Sequence, residues 1–339
     1  MPWNWELPNW PHFIYDSKHI IQKERQFLLN AGHSSALSKI IGKKEFAQFA
    51  IEILIMESLQ SAKIEGESLD RESLQSSIEK HFELKTREPG QANLPLTHEM
   101  LWDWNKGLFG DLGKYRTHVE PMQIISHRFD SRKVFFEAPP SAKIFDEMTT
   151  FIQWFNSTSV SEPILGRAAL AHIYFESIHP FEDGNGRIGR VLVEKVLSQG
   201  VKQPILIAVS KVLEKRKKEY YAQLERCNMK LEVDHWVEFF AEVILQAQEE
   251  SLKLLNFLIA KLRLMTELSG KINPRQERVL MRLFEEGPSG FKGGLSAENY
   301  LAITKTSRAT ATRDLADLVE KGALVKTGEL RHTRYWLQT

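Results

Sequence analysis

Twelve residues constrain this chain more than any others: HPFEDGNGRIGR, from His179 to Arg190. Pro180 has no amide hydrogen and disfavours helix at the residue before it, so a helix arriving from the N-terminal side must end near His179. Gly184 and Gly186 permit turns that expose successive amide N–H groups. A second helix is predicted from about Gly186. It carries Arg187 and Arg190 on one face, with Ile188, Val191 and Leu192 on the buried side. A helix N-terminus, turned amides and two guanidiniums make an anion site. Asp183 adds a carboxylate of the kind that holds a divalent cation. His179 sets a titratable imidazole at the edge. The spacing predicts a helix-loop-helix cradle for a polyphosphate.

The same stretch contains GNGRIG, a literal match to the dinucleotide fingerprint G-x-G-x-x-G. That turn needs a strand before the glycines and an acid roughly 20 residues beyond them. Here ILGRAALAHIYFESI reads as a helix, and the region around Val209 offers no acid. The dinucleotide reading fails. Each residue also has a plain structural use: His179 as a helix end, the glycines as a turn, Arg190 as an i,i+4 partner of Glu194. Those uses give no reason for a base, an acid, an amide cradle and two arginines to coincide in one loop.

The remaining pattern divides the chain into three predicted segments, 1–90, 91–268 and 274–339. The first opens with an aromatic arm (Trp3, Trp5, Trp10) and carries a helix over about Lys44–Ile64, with Gly66 suited to the residue past its end. The second carries helical patterns at Thr97–Phe109, Ser141–Phe155, Glu162–Ile178, Arg187–Gln199, Lys211–Cys227 and Asp234–Leu268. Its extended region lies between Tyr115 and Pro140 and reads as a hairpin. The third carries helices at Arg275–Glu286, Ala297–Ile303 and Ser307–Lys321, then ALVKTG and RYWL, the outline of a winged helix. With 45 Lys+Arg against 44 Asp+Glu, no global field points to nucleic acid or membrane. Cys227 is the single cysteine, which excludes a disulfide framework within the chain. MPWNWELPNW lacks the basic and apolar regions of a signal peptide, and no apolar run reaches membrane length. A soluble, cytoplasmic protein with no membrane partner is expected.

HPFEDGNGR at 179–187 resembles the signature of the Fic family, H-P-F-x-[D/E]-G-N-[G/K]-R, at every specified position, and a second arginine follows at Arg190. GKYR at Gly113–Arg116 and EAPP at Glu137–Pro140 resemble the two ends of that family's flap hairpin. KEYYAQL at Lys218–Leu224 resembles its segment near the nucleotide. The tryptophan-rich start and the tail resemble regions that accompany one subset of the family. The resemblance implies a mostly α fold: a Fic-fold helical core with a β-hairpin flap, plus a C-terminal winged helix-turn-helix. It also implies transfer of AMP from ATP, with Mg²⁺, to a Ser, Thr or Tyr hydroxyl of a target protein or of the chain itself, releasing pyrophosphate.

In that implied site His179 is the base and Asp183 holds Mg²⁺. Asn185, with the amides around Gly184 and Gly186, meets the α-phosphate; Arg187 clamps the β-phosphate and Arg190 the γ-phosphate. Ile188 and Gly189 complete the motif's nucleotide-binding stretch, and Phe181 points into the core. Tyr220, Tyr221 and Asn228 border the adenosine, with core packing the alternative for one tyrosine. Val134, Phe135, Phe136 and Glu137 form the flap, which aligns a target by strand pairing or is an ordinary surface hairpin. SAKIEG (Ser61–Gly66) fits the family's inhibitory motif [S/T]-x-x-x-E-[G/N], so that Ser61, Glu65 and Gly66 form an inhibitory helix end with Glu65 paired to Arg190.

In the tail, 11 Lys+Arg face 8 Asp+Glu between Asn273 and Thr339. Ser307 caps a candidate recognition helix from which Arg308 and Arg313 could reach DNA, although such domains also dock proteins. Rival readings are a DNA-binding regulator that only senses nucleotide, and a Fic enzyme that transfers another nucleotide or removes AMP. A homodimer stays open.

Overall fold

The computed structural model describes residues 1–84, 94–109, 113–125, 133–158, 162–288 and 290–338. The expected boundary at 90/91 and the turn of the flap hairpin at 126–132 lie outside these residues. The chain is mostly helical, with two small two-stranded sheets. Internal contacts divide it into two units, Met1–Ser35 with Ala50–Ser251, and Ala36–Phe49 with Leu252–Thr339. The N-terminal arm thus shares a unit with the 179–190 loop, where the sequence suggested separate segments.

The helices are α1 (Ile21–Ser38), α2 (Lys43–Ile64), α3 (Arg71–Leu84), α4 (His98–Phe109), α5 (Ile144–Ser157), α6 (Ile164–Ile178), α7 (Asn185–Val201), α8 (Val209–Lys215), α9 (Lys217–Cys227) and α10 (Asp234–Glu267). Two strands, β1 (Gln123–Ile125) and β2 (Val134–Glu137), pair antiparallel. The single helix expected over Lys211–Cys227 is two, because Arg216 leaves helical geometry (φ −105°, ψ 23°) and its N–H turns back to Val212 O and Leu213 O. Periodicity did not delimit α1 or α3. Both bury few apolar side chains.

At the centre of the first unit, α6 is buried around almost its whole circumference, with Arg167 and His172 enclosed among its apolar residues, so it is a core helix. Its small residues admit close neighbours: a Cβ at Gly166 would strike the Tyr15 hydroxyl. Trp236, fully buried on α10, donates from Nε1 to Ala169 O at 2.8 Å. On α7, Ile188, Leu192 and Val196 recur at i,i+4 and are fully buried. Val191 falls outside that stripe and is 38% exposed, contrary to the sequence expectation.

The N-terminal arm is bonded into this core. Asn4 is fully buried, donating from Nδ2 to Ser177 Oγ (2.8 Å) and Cys227 O (3.1 Å). Trp10 meets Tyr174 edge-on at 5.2 Å and donates to Glu147 Oε2 at 2.9 Å.

The second unit contains α11 (Pro274–Glu285), α12 (Ala297–Thr304), α13 (Arg308–Glu320) and the antiparallel pair β3 (Leu324–Thr327) and β4 (Arg334–Leu337). Asn273 caps α11 through a reciprocal box with Gln276, and Pro274 takes the first helical position. Asp314 gathers donors from three places: Arg275 Nε (2.9 Å), Tyr300 OH (2.8 Å) and Asn273 Nδ2 (3.1 Å). Leu280, Leu315 and Leu318 are fully buried beside it.

Because Asn4 satisfies two buried acceptors, Asn4→Ala should destabilise the first unit by about 1–3 kcal/mol. Urea denaturation followed by tryptophan fluorescence checks this; an unchanged midpoint would mean that the arm is only laid on the surface.

Candidate active site

The α6–loop–α7 stretch is a helix-loop-helix, with no strand before the glycines. Helix α6 stops at His179, whose N–H donates to Phe175 O at 3.0 Å and whose backbone is left-handed (φ 50°, ψ 59°). The residue before a proline would ordinarily be extended. This left-handed geometry costs a non-glycine residue on the order of 1 kcal/mol and must be held by its surroundings. Arg116 holds it. Its Nε donates to His179 O (2.9 Å), its Nη2 reaches Pro139 O and Ile178 O, and its N–H donates to Pro180 O (2.9 Å). Burial lowers the Arg116 pKa to about 10, which leaves it charged at neutral pH at the negative end of α6.

The loop is fixed from inside by Asn185. Its Oδ1 accepts from Phe181 N–H (2.9 Å) and its Nδ2 donates to Phe181 O (2.8 Å). Both ends of that side chain are therefore engaged within the loop. The backbone of Asn185 opens α7, together with Gly186 and Arg187. First-turn amides have no acceptor four residues back within the helix and point along its N-terminal end, the end that favours an anion. Gly184 sits before them at φ 87°, a conformation that favours glycine. Phe181 is buried against Tyr115, as expected.

His179 opens onto a cleft of about 1130 Å³, lined also by Glu65, Glu176, Gly186 and Tyr221. Its pKa is lowered to about 4 by burial and by the nearby charge of Arg116, so the imidazole is neutral at pH 7. Neither its Nδ1 nor Oε1 of Glu176 has a hydrogen-bond partner, and Glu176 Oε2 stands 3.9 Å from that Nδ1. Burial and the charge of Glu65 raise the Glu176 pKa to about 8, against the pull of Arg190.

Two arginines face the cradle. Arg190 is buried; its Nη2 donates to Glu65 Oε1 (2.7 Å) and Ser61 O (3.2 Å), its Nε to Ser61 Oγ (3.0 Å). Burial works against its charge, but Glu65, Tyr220 and Glu57 more than compensate and raise its pKa. Arg187 donates to both oxygens of Glu67, at 2.8 and 3.1 Å, and lies 3.6 Å from Asp183. Gly186 is glycine for a visible reason: a Cβ there would strike Glu65 Oε1. At Gly189 a Cβ would approach Glu176 Oε1 at 2.9 Å and His172 at 3.0 Å. Ile188 faces the core.

Asp183 turns its carboxylate to solvent, 61% exposed, while Asn105 Nδ2 donates to its carbonyl at 2.9 Å. Among the described residues no three His, Cys, Asp or Glu side chains form a metal cage. One exposed carboxylate beside an anion cradle suits a hard cation that arrives with phosphates, since Mg²⁺ keeps most of its shell as water and phosphate oxygen.

The structure separates the adenosine candidates. Tyr220 is buried, and its hydroxyl shares a 2.8 Å hydrogen bond with His172 Nε2 inside the core. Burial drives the His172 pKa down to about 3 and that of Tyr220 far up, so both stay neutral. Tyr221 is 43% exposed on the cleft wall and donates to Ile64 O at 3.2 Å. Asn228 donates to Phe135 O on β2 at 2.8 Å, so its side chain grips the hairpin. In that hairpin Val134 and Phe136 face β1, and Glu137 Oε2 accepts from Gln123 Nε2 at 2.7 Å.

Sequence reasoning passed over Arg116 as a clamp, Glu176, Glu67 and Glu57. Glu57 is buried with a pKa raised to about 7 by burial, and accepts from the N–H (2.8 Å) and hydroxyl of Ser210. Its signal was available: Glu57, Ser61 and Glu65 follow at i,i+4 on one face of α2.

Comparison with known proteins agrees with this geometry. Residues 95–197 match the Fic/DOC family, and residues 3–84 match a domain of unknown function (DUF4172). The chain is 33% identical over 88 residues to the protein adenylyltransferase fic-1 of Caenorhabditis briggsae, covering 25% of this chain and 16% of that protein. It is 31% identical over 128 residues to the protein adenylyltransferase Fic of Drosophila erecta, covering 37% of this chain and 24% of that protein. The matched stretches thus span a quarter or less of these curated relatives. Its fold is similar to the crystal structure of a Fic family protein from Desulfovibrio desulfuricans G20, with a TM-score of 0.52 and 18% identity, covering 96% of this chain and 98% of that one. A Fic domain containing signaling protein from Bacteroides thetaiotaomicron VPI-5482 gives 0.53 and 18%, covering 70% and 96%. Among the described residues no helix is long and apolar enough to cross a membrane. Loop, flanking helices and matches agree: the chain carries a Fic/DOC family domain over residues 95–197.

Proposed function

We propose that this chain is a protein adenylyltransferase, held at rest by Glu65. The observation that carries the reading is the placement of His179 on the wall of the cleft beside Gly186 in the first turn of α7. A Ser, Thr or Tyr hydroxyl is a poor nucleophile at neutral pH and needs its proton removed as it attacks. In the proposed step that oxygen bonds to the α-phosphorus of ATP, the bond to pyrophosphate breaks, and His179 takes the hydroxyl proton. The amides of Asn185, Gly186 and Arg187 stabilise the α-phosphate as charge builds. Asn185 serves through its backbone and by holding the loop, its side chain being committed to Phe181. Arg187 and Arg190 seat the β- and γ-phosphates. Asp183 would hold Mg²⁺, which neutralises charge on the departing pyrophosphate. The Fic-named adenylyltransferases among its relatives support the reaction class. The proposed substrates are a hydroxyl-bearing target protein and the chain itself.

At rest Glu65 takes the guanidinium of Arg190, so the γ-phosphate lacks its seat and the α-phosphate is misaligned, where small errors are costly. Glu65→Gly should therefore raise self-labelling from radiolabelled ATP, and adding His179→Ala should remove about 10²–10⁴-fold of that rate. Glu65→Gly labelling no faster than wild type would end the inhibitory reading; undiminished labelling without His179 would end the mechanism.

The pH profile gives a second check. A base with a pKa of about 4 loses its function only when protonated below that value, so the acid limb of the Glu65→Gly rate should fall near pH 4. An acid limb near 6.5, the ordinary histidine value, would mean that His179 is not buried as described.

For the tail, α11–α13 with β3–β4 are proposed as a winged helix that contacts DNA. Ser307 caps α13, and the Arg308 side chain is 80% exposed at its first position. Binding to duplex should weaken at least tenfold from about 50 to about 200 mM salt, and weaken further in Arg308→Ala with Arg313→Ala. No gel retardation at low salt would assign the tail to protein docking.

A further inference from the structure

The end of α2 places more than Glu65. Gly66 N–H donates to Lys63 O (3.2 Å) and Glu67 N–H to Ala62 O (3.0 Å), with Gly66 at φ 86°. This paired pattern is a Schellman cap, which fixes Glu65 and Glu67 on either side of one left-handed glycine. Glu65 meets Arg190 and Glu67 meets Arg187, the latter through two parallel bonds of 2.8 and 3.1 Å. Both guanidiniums of the loop are thus engaged by carboxylates from one helix cap. SAKIEG ends at Gly66 and specifies nothing at position 67.

We propose that Glu67 is a specificity-determining competitor for the diphosphate portion of the nucleotide, occupying Arg187 as Glu65 occupies Arg190. This rests on the assignment of Arg187 to the β-phosphate and Arg190 to the γ-phosphate. The Arg187 side chain is 12% exposed and already has Asp183 at 3.6 Å, so a β-phosphate arriving there must displace Glu67 rather than join it. A bidentate fork on a half-buried guanidinium competes better than an exposed lysine–carboxylate pair would. Glu67 itself is 44% exposed, so water can receive its carboxylate when it leaves. The two carboxylates therefore read different lengths of phosphate chain. Glu65 opposes only a triphosphate; Glu67 opposes a diphosphate as well.

Titration calorimetry on the full chain with Mg²⁺ and AMP, ADP or ATP tests this. Glu67→Gln should tighten ADP and ATP alike, about fivefold, and leave AMP unchanged. Glu65→Gln should tighten ATP alone. Glu67→Ala should repeat the Glu67→Gln pattern, with both variants still folding cooperatively and melting only slightly below wild type, since position 67 lies outside the helix and only its pair with Arg187 is lost. Wild-type ADP affinity in Glu67→Gln, alongside tighter ATP in Glu65→Gln, overturns the proposal while the nucleotide reading stands. If no variant, including Glu65→Gln with Glu67→Gln, binds any of the three, the nucleotide reading falls and this proposal with it.

Discussion

The site depends on how α6 ends. A helix terminus leaves carbonyls without partners, and here a proline follows immediately. The chain resolves this by turning His179 left-handed and spending one buried guanidinium, Arg116, on the carbonyls of Ile178, His179 and Pro139. That arrangement aims the imidazole, sets the course of the loop, and joins the hairpin segment at Pro139 to α6. It also supplies the positive charge that helps keep His179 neutral. Strain at one residue, clamp and proton affinity are consequences of one local problem in backbone geometry.

Beyond that terminus, charge governs the contact between α2 and α7. Arg190 is buried and cannot be left unpaired without a large desolvation cost. Glu65 and the Ser61 hydroxyl supply its partners, while Glu176 nearby is pushed toward its neutral form. An anion of similar charge and reach can exchange with Glu65 at little net change in burial, which is what a switchable contact requires.

Much of this was legible in the sequence because the information is local. Residues 179–190 carry their own start, stop and glycine signals, so helix, loop and helix follow without knowledge of the rest. The Glu65 contact was legible through a motif with a defined helix end. Less legible were features made by distant chain. Arg116 reads as an ordinary arginine until its carbonyl partners are known. Asn185 reads as a ligand residue, yet its side chain closes the loop on Phe181. Tyr220 and Tyr221 are adjacent and identical in type, but helix geometry buries one with its hydroxyl on His172 and leaves the other half-exposed. Asn228 lines the cleft and also binds strand β2, a contact no local pattern announces. The break at Arg216 had no proline or glycine to announce it.

Strand β2 carries one further consequence. Its Ala138 end bonds to β1 through Met122 O, which places the carbonyls of Phe135 and Glu137 on the opposite edge. Those two carbonyls accept from Asn228 Nδ2 and Trp5 Nε1. A bare strand edge is a template for stray pairing and aggregation. Here an amide and an indole, drawn from opposite ends of the first unit's sequence, close that edge as a third strand would. Trp5 and Asn228 thus leave the carbonyls of Glu137 and Phe135 already engaged, so pairing with either would have to displace a side chain of the chain itself.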